Sequence, residues 1–153
     1  MALKIGSKAP NFTTDSTLDK KFTLDVDKAG RPLILYFYPK DFTKGCTAEA
    51  CEFRDAFSEF KGLDIDVVGV SKDNIISHKA FQKEHNLPFE LLADEDQKIA
   101  KLYQAVVPIL GLTKRITFLL DKTHTIVAIY EDMFGATKHI SEMIKKIKEQ
   151  AKH

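Results

Sequence analysis

Residues 32–38 read Pro-Leu-Ile-Leu-Tyr-Phe-Tyr, seven consecutive positions without a charged side chain. A run of this length, rich in aromatic and branched residues, reads as a strand rather than a helix. It does not alternate between apolar and polar residues, so both of its faces must be covered. Residues 65–70 (Ile-Asp-Val-Val-Gly-Val) repeat the signal and give a second buried strand. Residues 48–60 lie between the two and have helical spacing. Cys51, Phe53, Ala56, Phe57 and Phe60 fall close to one face. Two buried strands joined by an amphipathic helix constrain the chain to a layered α/β arrangement with helices over a sheet.

The remaining segments extend that pattern. Residues 74–85 are expected to be helical and to stop at Asn86-Leu87-Pro88. Residues 89–93 form a short strand leading to Asp94, expected to cap a helix over 95–103. Residues 115–120 and 125–130 are β-rich runs joined by 121–124, which predicts a hairpin. Residues 137–152 close the chain as an amphipathic helix, and an N-terminal hairpin pairs 11–14 with 21–24. The order β-α-β-α-β followed by β-β-α predicts a mixed central sheet flanked by helices. It is the order of a thioredoxin-like domain with an N-terminal addition, although periodicity alone does not single out that fold. No linker or repeat divides the 153 residues, so one domain over 1–153 is expected.

Composition removes several function classes. Apolar residues make up 44% of the chain, enough for a real core. The formal net charge is +1, and the densest basic cluster, Lys145, Lys146 and Lys148, sits in the amphipathic C-terminal segment as a solvated face. A nucleic-acid or acidic-membrane partner therefore has no electrostatic support. No run approaches the roughly 18 apolar residues of a membrane span, and residues 1–10 lack the apolar core of a signal peptide. A cytoplasmic chain is expected. Two cysteines, Cys46 and Cys51, lie close together. In a reducing compartment such a pair points to redox chemistry or metal binding rather than to a disulfide scaffold.

Cys46 is expected at, or just inside, the start of the helix that follows the first buried strand. A free thiol titrates near 8.5, so only a few per cent is thiolate at neutral pH. A helix N-terminus offers unpaired N–H groups and partial positive charge, and both favour the thiolate. Position alone makes Cys46 a candidate nucleophile.

Pro39, Thr43 and Cys46 match the pattern Pro-x-x-x-Thr-x-x-Cys, which resembles the active-site signature of peroxiredoxins. The wider stretch Lys-x-x-Thr-x-Gly-Cys-Thr, followed by Ala-Cys-x-Phe-Arg-Asp, is similar to the peroxiredoxin Q subfamily, also called bacterioferritin comigratory proteins. Arg115-Ile-Thr-Phe-Leu-Leu-Asp121 resembles a second family element, and Ile5-Gly-x-x-Ala-Pro-x-Phe12 a third. The resemblance implies a thioredoxin-like fold and reduction of hydrogen peroxide and alkyl hydroperoxides, without a cofactor. It implies that Cys46 attacks one peroxide oxygen and becomes a sulfenic acid. Arg115 and the N–H groups around Gly45 and Cys46 would stabilise charge on the departing oxygen. It also implies that Thr43 orients the peroxide, that Pro39 walls the sulfur from water, and that Glu49 helps to position the arginine.

A sulfenic acid must be resolved by a thiol. Cys51 lies five residues on, which in an intact helix is roughly 7.5 Å of rise and about 140° of rotation. The two Cα atoms would then be roughly 8.6 Å apart, beyond the approximately 7 Å that a disulfide tolerates. If Cys51 resolves Cys46, the first turns must unwind. The spacing resembles the intramolecular, atypical two-cysteine mode of peroxiredoxin Q, and the resemblance implies thioredoxin as reductant. The other reading is Cys51 as a packed small hydrophobe, with an external thiol resolving Cys46.

In a metal-binding module the two cysteines would join a histidine. Yet none of His78, His85, His124, His139 and His153 pairs with a cysteine in near sequence, and each is expected at the surface. A disulfide oxidoreductase would carry Cys-x-x-Cys, which is absent. A non-enzymatic interaction domain would leave Pro39, Thr43 and Arg115 as coincidences. Residues 105–112 (Ala-Val-Val-Pro-Ile-Leu-Gly-Leu) are unusually apolar for a loop. They read either as packed on the core or as a partner or dimer surface. A monomer is the expected state.

Overall fold

A computed structural model describes residues 3–131 and 136–151. The elements in chain order are β1 (Thr13–Ser16), β2 (Lys21–Thr23), α1 (Leu24–Asp27), β3 (Leu33–Phe37), α2 (Lys44–Gly62), β4 (Asp66–Ser71), α3 (Ile75–Glu84), β5 (Leu91–Ala93), α4 (Lys98–Leu102), β6 (Ile116–Leu120), β7 (Ile126–Glu131) and α5 (Ala136–Ala151). The strands form one sheet in the order β2-β1-β5-β4-β3-β6-β7. β3, β4 and β5 run parallel, whereas β6 pairs antiparallel with β3 and closes a hairpin with β7.

β3 sits inside the sheet, and all five of its residues are buried. Leu33, Leu35 and Phe37 enter one apolar cluster with Leu24 of α1 and Ile99 and Ala100 of α4. Ile34 and Tyr36 enter the other, with Cys46, Ala50, Phe53 and Phe60 of α2, Phe81 of α3 and Met143 and Ile147 of α5. The strand alternation thus sends side chains into two cores, and each fully buried Leu, Ile or Phe contributes about 1.5–3 kcal/mol. On the α2 side, the Tyr36 ring stacks on Phe53 with centroids 4.5 Å apart. Gly69 of β4 makes room for that ring: a Cβ there would lie 2.8 Å from the Tyr36 ring and from Leu91.

Several expectations are corrected in detail. The stripe that α2 buries is Cys46, Glu49, Ala50, Phe53 and Phe60, so Cys51 lies at its margin, half-buried. Asp94 does not begin the helix after β5. Residues 94–97 first make a turn, Gln97 is the cap residue at φ 59°, and the helix spans only 98–102. The Asp94 carboxylate still accepts from the N–H groups of Ile99 and Ala100, both at 2.9 Å. His78 and His124 are buried rather than exposed. Burial is tolerated because both ring nitrogens of each have partners: Asp41 and the Leu92 carbonyl for His78, Asp25 and the Lys28 carbonyl for His124. His85 is half-buried, and the burial of His139 and His153 lies outside the described residues. In the apolar segment 105–112, Ala105 is buried, whereas Ile109 and Leu110 project into solvent on a turn closed between Val107 and Leu112. The core-packed reading therefore fails at the tip of this segment. Residue 152, the expected end of the last helix, lies outside the described residues.

Candidate active site

Two strand ends bring the site together. In the antiparallel pairing of β3 with β6, Phe37 faces Ile116. The residue before Ile116 is Arg115, so it arrives where β3 hands over to the loop of residues 39–43. That loop is pinned at Asp41, whose N–H donates to Asp73 at 2.9 Å. The Asp41 carboxylate accepts from the Tyr38 hydroxyl at 2.6 Å and from Ser77 at 2.8 Å, and lies 2.8 Å from His78 Nδ1. The next residue, Phe42, takes the left-handed conformation at φ 66°, which is uncommon for a bulky side chain. Its ring meets Phe81 edge-on at 5.2 Å.

α2 then starts with Thr43 as its cap residue. The Thr43 hydroxyl does not cap the helix. It donates to the Lys40 carbonyl at 2.8 Å, which leaves its oxygen lone pairs facing outward from that bond. The Thr43 carbonyl takes the N–H of Thr47 at 2.8 Å, so the preceding N–H groups of Lys44, Gly45 and Cys46 fall in the unsatisfied first turn. Cys46 is the third helical residue and is 1% exposed. Pro39 is half-buried just after Tyr38.

Arg115, 8% exposed, bridges sulfur and carboxylate. Its Nη2 donates to Cys46 Sγ at 3.4 Å and its Nη1 to Glu49 Oε1 at 2.7 Å. Glu49 lies one helical turn after Cys46 and therefore points to the same side. Burial works to lower the Arg115 pKa, but the Glu49 and Cys46 charges more than offset it and hold the group above its ordinary value. Burial pushes Glu49 up to about 7, against the opposing pull of Arg115. Glu49 Oε2, Tyr36 Oη and Thr117 Oγ1 are buried without a hydrogen-bond partner among the described residues. Tyr36 and Thr117 are direct neighbours across β3 and β6. Burial, then the Glu49 and Cys46 charges, keep the Tyr36 phenol well above its usual range.

Both cysteines are free, and α2 is continuous through them. Cys51 Sγ lies 4.0 Å from His85 Nδ1, on the side of α2 that meets the end of α3. The geometry therefore joins Cys46, Arg115 and Glu49 by direct contact, sets Thr43 and Pro39 in the adjoining loop, and holds Cys51 apart. Among the described residues, the group able to hold a metal ion is Asp41, Asp73 and His78. It includes neither cysteine, and its atoms already bind Tyr38, Ser71, Ser77 and one another.

Sequence reasoning did not single out Gly45 as a steric requirement. A Cβ at Gly45 would stand 2.9 Å from Arg115 Nη2, so glycine lets the guanidinium approach the first turn of α2. The signal was present as the glycine before the cysteine. The Asp41–His78 pair and the His85 contact carry no local signal, because each joins α3 to a segment more than 30 residues away.

A family model described as AhpC/TSA matches residues 5–129. The chain belongs to the AhpC/TSA family. Within that family it is similar to "Peroxiredoxin Q, chloroplastic" of Oryza sativa subsp. japonica, at 43% identity over 141 residues, 92% of this chain. The match spans 64% of the rice protein's length. A Coxiella burnetii protein named as a peroxiredoxin bcp is 37% identical over 153 residues, with 96% of this chain and 100% of that protein covered. The fold matches the crystal structure of peroxidoxin BcpB from Mycobacterium tuberculosis with a TM-score of 0.88 at 28% identity, covering 95% of this chain and 97% of that one. The resemblance to the peroxiredoxin Q group and the thioredoxin-like fold of this AhpC/TSA chain are thus both met.

Proposed function

We propose that the protein is a thiol peroxidase in which Cys46 reduces hydrogen peroxide and alkyl hydroperoxides. The observation that carries this reading is the 3.4 Å contact of Arg115 Nη2 with Cys46 Sγ, with Arg115 itself held by Glu49. A guanidinium that donates to sulfur stabilises the negative charge of an attacking thiolate. The thiolate displaces the distal oxygen of the peroxide: an S–O bond forms and the O–O bond breaks. The departing oxygen leaves as hydroxide or alkoxide and takes up a proton from solvent. Arg115 and the N–H groups of the first turn of α2 are the donors that stabilise that negative charge. Thr43 and Pro39, in the loop before the helix, orient the peroxide and exclude water.

Cys51 then resolves the sulfenic acid. Its sulfur bonds to Cys46 Sγ, the S–O bond breaks, and water leaves. The continuous α2 separates the two cysteines by five helical positions, so this step requires the first turns to open. Thioredoxin reduces the resulting disulfide by exchange.

The test is peroxide consumption with thioredoxin and its reductase, wild type against Cys46→Ser. Turnover is expected only in the wild type, because a serine hydroxyl supplies no nucleophile at neutral pH. Substantial turnover by the serine variant would remove Cys46 from the chemistry.

A further inference from the structure

Cys51 does not sit in a neutral apolar pocket. Its Sγ lies 4.0 Å from His85 Nδ1, the outer limit for a thiol donating to an imidazole nitrogen. His85 is the residue that ends α3, and its N–H donates to the Phe81 carbonyl at 3.2 Å. Its ring packs edge-on against Phe81 with centroids 5.2 Å apart. Its carbonyl accepts from Arg54 Nη1 at 2.8 Å. Arg54 lies one turn beyond Cys51 on α2, within electrostatic reach of the Cys51 sulfur, and pairs with Asp55 at 3.1 Å. One imidazole and one guanidinium thus converge on a thiol that the peroxide-reducing step does not use.

We infer that His85 is the base that takes the Cys51 proton when Cys51 attacks the sulfenic acid at Cys46. This inference rests on the reading that Cys51 is the resolving thiol. A thiol attacks as thiolate, and an adjacent imidazole is the usual means of generating one. Nδ1 must then be the unprotonated nitrogen, with the ring proton on Nε2. Cys51 passes its proton to His85 Nδ1, and the thiolate forms the S–S bond with Cys46 while the S–O bond breaks. The departing hydroxide takes the proton from the imidazolium and leaves as water.

The contact can outlast the opening of the helix. Unwinding has to free Cys46 and the residues up to Cys51, but not Arg54. The Arg54–His85 bond and the Phe81 packing hold the imidazole from elements that stay folded. Cys51, at the boundary of the opened segment, remains beside its base when Cys46 swings towards it.

The experiment is a single-turnover reaction of reduced protein with one equivalent of peroxide. It is quenched with a thiol-blocking reagent and read by mass spectrometry for sulfenic acid and disulfide. His85→Ala is expected to slow disulfide formation about a hundredfold or more relative to sulfenic acid formation, the lower end of general-base effects. Added imidazole is expected to restore the rate, which it would not do if the histidine were only a packing element. In a Cys46→Ser background, alkylation of Cys51 by iodoacetamide should slow when His85 is removed. His85→Gln keeps polarity and bulk without a basic nitrogen, and it carries the test if the alanine variant does not fold. Disulfide formation at the wild-type rate, or a slowing that imidazole does not relieve, would overturn the role of His85 and leave Cys51 as resolver. A wild type that forms no Cys46–Cys51 bond would overturn the resolving reading itself, and the inference with it.

Discussion

The guanidinium of Arg115 donates to the sulfur of Cys46 across 69 positions of sequence. Strand register produces that contact. β6 runs antiparallel to β3, so the residue just before β6 must lie beside the residues just after β3. Shifting the register by one would turn Arg115 to the other face of the sheet.

Arg115→Ala should slow sulfenic acid formation by about 10²–10³-fold, the range for losing one preorganised donor to a developing anion. Stopped-flow rates with peroxide measure the loss. An unchanged rate would place Arg115 outside the chemistry.

Glu49 gives stability a signature in pH. Burial raises its folded pKa from 4.5 to about 7. Between those values the folded chain keeps a proton that the unfolded chain has released, so stability falls as pH rises through this window. The contribution is complete below 4.5 and gone above about 7. Glu49→Gln has no such group, so melting temperatures of the two proteins should move in favour of the glutamine variant from pH 4.5 to 7. Activity should show the opposite trend. The ratio of wild-type to variant attack rate should grow above pH 7, where ionised Glu49 grips Arg115 most strongly. A flat ratio would mean that Glu49 does not orient the arginine.

Gly45→Ala separates folding from chemistry. The glycine does not adopt a left-handed conformation, so alanine fits the backbone, and alanine favours a helix by up to about 1 kcal/mol. The added Cβ would meet Arg115 Nη2 at 2.9 Å and displace it from the sulfur. Thermal stability should hold or rise while the attack rate falls about tenfold, part of what a misplaced catalytic group can cost. Equal activity in the two proteins would show that the guanidinium has room to retreat without penalty.

Cys51→Ser should leave the first attack nearly intact and accumulate sulfenic acid at Cys46. A sulfenic-selective probe with mass spectrometry would detect it. Wild type given one equivalent of peroxide should instead form the intramolecular disulfide and lose helical circular dichroism. A disulfide formed at constant helix content would contradict the opening of α2.

The sheet was legible from the two apolar runs because a central strand has to be apolar on both faces, and 32–38 and 65–70 were. The contact of Cys46 with Arg115 was foreshadowed by two motifs far apart. Cys51 was misjudged: helical spacing put it on the apolar stripe, but the stripe that meets the sheet runs through Cys46, Ala50 and Phe53. The buried histidines were illegible for a different reason. A histidine is surface-like until both nitrogens find partners, and Asp41 reaches His78 from 37 residues away. The late start of α4 follows from Gln97 adopting φ 59°, a conformation that no residue type announces reliably outside glycine.

Cys46 and Cys51 share one continuous helix, and this turns secondary structure into an electrochemical quantity. On the proposed cycle, closing the bond consumes helical turns, and reduction gives them back. Anything that favours the helix therefore makes the disulfide a stronger oxidant, by about 30 mV for every 1.4 kcal/mol. Redox titration of Thr47→Ala, in the same turns of α2, against glutathione should accordingly find a potential up to about 15 mV above that of the wild type. If the two potentials coincide, the turns stay formed in the oxidised protein. If they differ as stated, the folding free energy of α2 sets how readily a partner thiol can recharge the protein.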